Sequence, residues 1–286
     1  MLDFLNTLDR RWIFLLMAIA VAVPVLYQPV FPEQPSPLTR KLFDAIEELP
    51  EGSVVYLAFD YDPPSQAELG PMAKGFVRHC CLKKHKMIFA NLWPVGPPLV
   101  DQNIREVIEG EFQSEALVYG RDYVNLGYRP GNQVAISQIA TDLRKVYAID
   151  SAGTNLDDLP LTKSFKNIFD ADLVLNVSAG YPGCKEWVQY AGTKGDLKMG
   201  AGVTGVQAPQ LFPYYPDQLV GLLAAIKGAA EYEAAIAQKY PQYADPQKNV
   251  AIKRMGPQLF AHLLMLGLIV LGNVVYVANR RRGAQR

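Results

Sequence analysis

The sequence predicts an α/β domain, a mostly parallel, doubly wound sheet of five strands (Rossmann-like or flavodoxin-like), set between two transmembrane helices. Three observations lead there. The apolar runs 12–31 and 259–278 each approach the ~20 residues an α-helix needs to cross the ~30 Å hydrocarbon core of a bilayer. Between them, short β-rich runs alternate with helical patterns, as βαβ units do. Those β-rich runs are apolar nearly throughout, the pattern of strands covered on both faces. The chain therefore divides into a tail (1–11), a first span (12–31), the α/β domain (32–239), a linker (240–258), a second span (259–278) and a basic tail (279–286).

Arg10 and Arg11 lead into the first run. Past its centre it reads Pro24-Val25-Leu26-Tyr27-Gln28-Pro29, with no convincing small-x-small site at its outer end. An uncleaved anchor is the better reading, and a signal peptide cut near Ala18-Ile19-Ala20 is the alternative. In the second run the notable polar residues are His262 and Asn273. Their spacing is close to three helical turns, so they share one face and are expected to pair with another helix. Arg280, Arg281, Arg282 and Arg286 follow. Basic flanks stay on the cytoplasmic side, and two crossings return the chain to the side it left. Both termini are thus expected in the cytoplasm of a cell (inner) membrane, with the domain outside. Arg40, Lys41, Lys248, Lys253 and Arg254 on the inner flanks make the bias modest.

Within the domain, Pro29, Pro32 and Pro35 stiffen an extended lead. Ser36-Pro37 then opens a helix, serine as cap and proline in the first turn, with Leu38, Leu42, Ile46 and Leu49 on its apolar face. A first strand runs over 53–59. Ser65-Gln66-Ala67-Glu68 reads as a capping box for a helix reaching about Lys84. The second strand covers 87–93, a helix 97–115, the third strand 123–127 and a helix 132–146. A polar loop and a short helix near 162–169 precede the fourth strand (173–177). A helix near 184–190 and a weaker fifth strand (197–203) follow. A long helix over about 217–238 closes the domain.

Composition narrows function by exclusion. Lys+Arg and Asp+Glu both number 28, so no broad basic face suggests nucleic acid. Of Cys80, Cys81 and Cys184, at most one of the adjacent pair could join the third. Buried thiols are the preferred reading. His79, Cys80, Cys81 and His85 lie together on the expected helix, but two ligands one turn apart make a poor zinc site. No metal and no cofactor is expected.

In doubly wound sheets, ligands bind beyond the carboxyl ends of the strands. There the sequence offers Asp60, Asp62, Trp93, Tyr128, Ser178, Tyr181 and Thr204 as candidate ligand-binding residues, an edge suited to a neutral ligand or a polypeptide segment. Asp60 and Asp62 suit acid–base or metal work, but a turn before Pro63-Pro64 or a helix cap is the preferred reading. Ser178 lacks a GxSxG elbow and a nearby histidine. Lys185 and Lys198 are possible bases, but hydrolysis there is not the expected chemistry, and no catalytic residue is assigned. Gly200-x-Gly202-x-x-Gly205 spells the dinucleotide fingerprint, yet no helix follows directly as that motif requires. It reads as a glycine-rich loop for close packing. The following Leu211–Pro216 stretch, rich in Pro, Tyr and Phe, suits a partner contact or packing on the body.

The stretch from Ser36 to about Trp93 resembles the membrane-anchored auxiliary subunits of ABC-type transport systems, the gliding-motility-associated family. Ser36-Pro37-Leu38-Thr39-Arg40-Lys41-Leu42 corresponds to the helix after the anchor. Val54–Asp62 and Ser65–Trp93 correspond to a strand with an acidic turn and the next helix–strand unit. The likeness covers about a quarter of the chain and rests on order and patterning. It implies an extracytoplasmic sheet domain beside a transporter and carries over no catalytic residue. The expected protein is an accessory or scaffold component of an envelope transport assembly. Its partners would be the bilayer and other membrane subunits or a second copy. The alternative is a membrane-tethered enzyme or small-ligand sensor using the carboxyl edge.

Overall fold

The structure, a computed structural model, describes residues 9–283. Residues 1–8 of the expected N-terminal tail, and 284–286 with Arg286, lie outside the described residues. The chain forms two units, one from Glu33 to Asp245 and one from the segments before and after it.

In chain order the helices are α1 (Arg10–Tyr27), α2 (Pro37–Glu47), α3 (Gln66–Leu82), α4 (Pro97–Asn103), α5 (Asn132–Ile139), α6 (Cys184–Tyr190), α7 (Ala225–Lys239) and α8 (Val250–Gly283). The strands are β1 (Val54–Asp60), β2 (Lys86–Asn91), β3 (Tyr123–Tyr128), β4 (Leu173–Ser178), β5 (Met199–Val203) and β6 (Leu219–Ala224). Single turns of 3-10 or α-helix fill several connections.

All six strands pair in parallel, in the order β3-β2-β1-β4-β5-β6. The chain winds outward from β1 to β3, then crosses back to start β4 on the other side of β1. That leaves a switch point between β1 and β4, where Asp60 pairs with Ser178. Helices α2, α3 and α7 pack on one another and on β4, β5 and β6. On the opposite face Tyr56, Ala58, Val174, Ala201 and Trp187 join one apolar core with residues of α5 and α6. Strand residues 55–59 are wholly buried, as a sheet covered on both faces demands.

Local chemistry explains most boundaries. Ser36 Oγ accepts from Thr39 N–H (3.4 Å) with Pro37 in the first turn of α2. After α4 the backbone widens to a π-helix over Ile104–Glu111, tied to α3 by the Lys74–Glu106 and Arg78–Glu111 ion pairs.

The sheet has six strands where five are expected. Leu219–Ala224 belongs to β6, and the closing helix starts only at Ala225. A run apolar at nearly every position has no period that separates strand from helix. Its place is decided by fit: a Cβ at Gly221 would fall 2.6 Å from the Leu38 carbonyl oxygen and from Leu42 Cβ. Only a glycine lets α2 lie this close to the strand. Smaller revisions have similar causes. The expected helix over 132–146 stops at Ile139, and a 3-10 turn at Leu143–Lys145 is capped by Asp142. The short helix near 162–169 is two separate turns, Pro160–Lys163 and Ile168–Asp170. His85 lies beyond the end of α3, one residue before β2. Gly200 and Gly202 are inside β5, with Leu42 and Met72 filling the space their side chains would take.

The remaining unit is a helix pair. Helices α1 and α8 pack side by side, and both are long and apolar enough to cross a membrane. Phe14, Leu26, Leu263 and Val270 are among many large apolar side chains left exposed on them. The first helix ends at Tyr27, before the expected limit at 31, where Gln28 takes the left-handed conformation ahead of Pro29. The second starts at Val250, inside the expected linker 240–258, because Ala251, Lys253, Arg254 and Met255 are good helix formers that extend the helix backwards. His262 and Asn273 are both exposed, and the Asn273 amide donates to Ile269 O of its own helix (2.9 Å).

Candidate functional site

The switch point brings the turn after β1 against the turn after β4. Beyond the last paired residues, Ala179 N–H still donates to Asp60 O (3.1 Å), so the two turns are joined at their roots. Asp60 itself is fully buried. Its Oδ1 accepts from Leu92 N–H (2.8 Å), and its Oδ2 accepts from Asn176 Nδ2 (2.8 Å) and Trp187 Nε1 (2.8 Å). Burial raises the carboxyl pKa to about 6, and the three donors hold it from going higher. At neutral pH it is an ionised acceptor at the centre of a closed network that links β1, β2, β4 and α6.

Asp62 serves differently. Its Oδ1 accepts from Ser65 N–H (3.1 Å) and caps the 3-10 turn Pro63–Ser65. Ser65 makes no side-chain cap on α3, and Glu68 reaches out of the expected capping box to accept from Gly205 N–H (2.9 Å). Asp60 and Asp62 thus enter separate hydrogen-bond sets and form no acid–base pair. Ser178 Oγ accepts from Cys184 N–H (3.0 Å), fixing the start of α6. A Cβ at Gly183 would strike Ser178, so the turn closes tightly over the hydroxyl.

The other candidates spread along the edge. Trp93 Nε1 donates to Pro182 O (2.7 Å), which closes the β2 turn onto the β4 turn. The Tyr181 hydroxyl bonds to Gln133 Oε1 at the start of α5. Gln207 Nε2 donates to Gly180 O (3.1 Å), and Thr204 O receives the N–H groups of Gln207 and Ala208. Thr204 directly follows β5 and Tyr128 ends β3, both outside the central turns. Lys185 and Lys198 are exposed. His79 and His85 lie at the other end of the sheet, where α2 and α3 finish. Asp60, Trp93, Ser178 and Tyr181 are therefore brought together, whereas Asp62, Tyr128 and Thr204 are turn and strand-end residues.

This arrangement suits an anionic cofactor poorly. A phosphate at a switch point needs free backbone N–H groups at the first helix start, and here two prolines without N–H follow two aspartates. Among the described residues no three or more His, Cys, Asp or Glu side chains converge on a possible metal position. The three thiols are unbridged and buried, and burial raises their pKa, which leaves them poor nucleophiles.

While the polar groups turn inward, apolar side chains face out. Val95 after β2, Val134 in α5, Tyr181 after β4, Val206 after β5 and Phe212 are all exposed, Val206 at 85% and Tyr181 at 56%. They come from four successive connections at the same sheet edge.

Two networks escape a reading of the sequence. Asn176 and Trp187, partners of Asp60, could have been flagged only as a polar residue inside an apolar strand and an aromatic inside a helix. The second lies at the amino end of the sheet: His79 Nε2–H donates to Glu47 Oε2 (2.9 Å), and His79 Nδ1 accepts from the Tyr232 hydroxyl (2.7 Å). The Tyr240 hydroxyl also donates to Glu47 (2.8 Å). Burial lowers the His79 pKa and keeps the ring neutral. The His79 N–H, then the Tyr240 hydroxyl and the Lys83 charge, pull the Glu47 pKa down to about 2 against the opposing effect of burial. This is a joint between α2, α3 and α7. Because Glu47 titrates lower folded than unfolded, its stabilisation is complete above pH ~4.5 and is lost as pH falls towards 2. Glu47→Gln should lower stability at pH 7 by ~2 kcal/mol. The gap to wild type should close near pH 2.5 in denaturant titrations, and a gap unchanged with pH would contradict this role.

The strand order and the closed turns define a Rossmann-type α/β domain carried with an apolar helix pair. No family model matches the chain, and no curated protein or solved structure matches it significantly.

Proposed function

We propose that this chain is a two-span membrane protein whose α/β domain serves as an accessory or scaffold component of an envelope transport assembly. Both termini lie in the cytoplasm and the domain lies outside. The observation that carries the reading is the carboxyl edge, where the Asp60 carboxylate and the Ser178 hydroxyl are engaged inside the fold while Val95, Val134, Tyr181, Val206 and Phe212 stand exposed. Exposed apolar and aromatic residues gathered at one edge favour a protein contact. The helices α1 and α8 supply the anchoring: their apolar side chains are exposed nearly all round, which is stable in lipid and costly in water. The arginines at the outer ends of both helices favour the stated orientation.

Photo-crosslinkers at Val206 and Tyr181 in native membranes test the edge. Adducts with other membrane subunits, or with a second copy, are the expected result. Recovery of the protein alone in mild detergent, without adducts from either position, would overturn it.

A small-ligand sensor is the second reading. It draws on the buried amide groups of Asn91, Asn103 and Asn176, each with an atom that has no hydrogen-bond partner. Asn91 is the residue to vary: altered ligand-induced thermal shifts in Asn91→Ala would favour that reading over the first.

A further inference from the structure

The helix pair contains a cleft of about 250 Å³ whose walls are formed by Val25 and Gln28 of α1 and Val250, Lys253, Arg254 and Pro257 of α8. Half of these residues are apolar, and two are cations. In sequence, the segments 10–32 and 246–286 carry no Asp or Glu, although Asp9, Glu33 and Asp245 stand at their ends. Lys248, Lys253 and Arg254 place three cations near this end of the pair. The apolar run begins at Leu259, about one turn beyond the cleft. In a bilayer spanned by α1 and α8, the cleft sits at headgroup depth, with hydrocarbon starting just below it.

We infer that this cleft holds the headgroup of one anionic phospholipid. Lys253 and Arg254 meet the phosphate, Gln28 faces the polar ester region, and the acyl chains run down the apolar surface of the helices. The match is in charge and in shape. Cations beside a membrane attract anionic lipid wherever they stand, but a concave site with apolar walls gives a single lipid a defined position. The inference rests on the two-span reading above.

Native mass spectrometry of the full-length protein in mild detergent tests it, with phosphatidylglycerol, phosphatidylcholine and inorganic phosphate as probes. Wild type should retain one phosphatidylglycerol in preference to phosphatidylcholine, and millimolar inorganic phosphate should not displace it. Each cation lost should weaken the preference roughly 5-fold, so Lys253→Gln with Arg254→Gln should weaken it about 30-fold. The charge-keeping pair Lys253→Arg with Arg254→Lys should retain it. Lys248→Gln, outside the cleft, should change it little. An equal loss in Lys248→Gln would mean diffuse surface charge and overturn the site. So would an unaffected double variant, or displacement by inorganic phosphate, which would mark a soluble-anion site. Alkaline extraction of membranes separates the two readings. If wild type and the double variant both stay in the pellet, the spans stand whatever the lipid result, whereas release of wild type removes the spans themselves.

Discussion

Asp60→Ala is expected to destabilise the domain by ~3–5 kcal/mol, a large part of the 5–15 kcal/mol that holds a typical domain folded. The substitution leaves three buried donors, Leu92 N–H, Asn176 Nδ2 and Trp187 Nε1, without their acceptor. Each lost partner costs about 1–3 kcal/mol, partly offset because a desolvated charge is removed as well. The pH dependence is distinctive. Asp60 titrates higher folded (about 6) than unfolded (3.8), so its contribution is greatest below pH ~4. It then falls by roughly 3 kcal/mol as pH rises through 6, and is level above. This is opposite in sign to Glu47. Against the non-titrating Asp60→Asn, wild type should therefore gain relative stability between pH 7 and pH 4. Denaturant midpoints of the full-length protein in detergent, followed by tryptophan fluorescence, would measure it. Trp187 should sense the change directly through its bond to Asp60. A wild-type stability difference from Asp60→Asn that stays flat over this range would mean that the carboxylate is hydrated and the closed network wrong.

Gly221→Ala is expected to cost ~3 kcal/mol, the upper end for overpacking. The added Cβ meets the Leu38 carbonyl oxygen, Leu42 Cβ and, at 2.7 Å, Leu42 N. Two of these atoms are backbone, so α2 must move as a body. Gly200→Ala makes an informative contrast, since its new Cβ meets chiefly the end of the flexible Leu42 side chain. Leu42→Ala should therefore partly relieve Gly200→Ala, while Gly221→Ala stays as damaging in the Leu42→Ala background as in wild type. Thermal denaturation of the three single variants and the two double variants with Leu42→Ala checks this, because contacting residues couple in double-mutant cycles. Equal rescue of both glycine variants would remove β6 from beneath α2.

Much of the fold was legible because its signals are local. Ser36-Pro37 caps α2 as read, and five of the six strands stand within a few residues of the expected runs. The two apolar helices also appear, with ends shifted by proline and by helix propagation. Local rules failed where two structures satisfy the same pattern. Leu219–Ala224 could be helix or strand, and Gly200-x-Gly202 could be loop or strand. Ser65-Gln66-Ala67-Glu68 could cap its own helix or send Glu68 to another turn. The order of elements sufficed to place the candidate residues along the carboxyl edge of the sheet, but not to say which of them meet. Ser178 and Asp60 are paired by register, but the partners of Asp60 lie 32 to 127 positions away in sequence, beyond any spacing rule.

By itself, then, the sequence determined an alternating α/β domain between two apolar helices, because periodicity, caps and hydrophobic length act over a few residues. The tertiary structure alone decided the sixth strand, the switch point between β1 and β4, and the enclosure of Asp60. Those depend on which surfaces fit together, and on whether a buried charge finds donors, which only contacts between distant segments can supply.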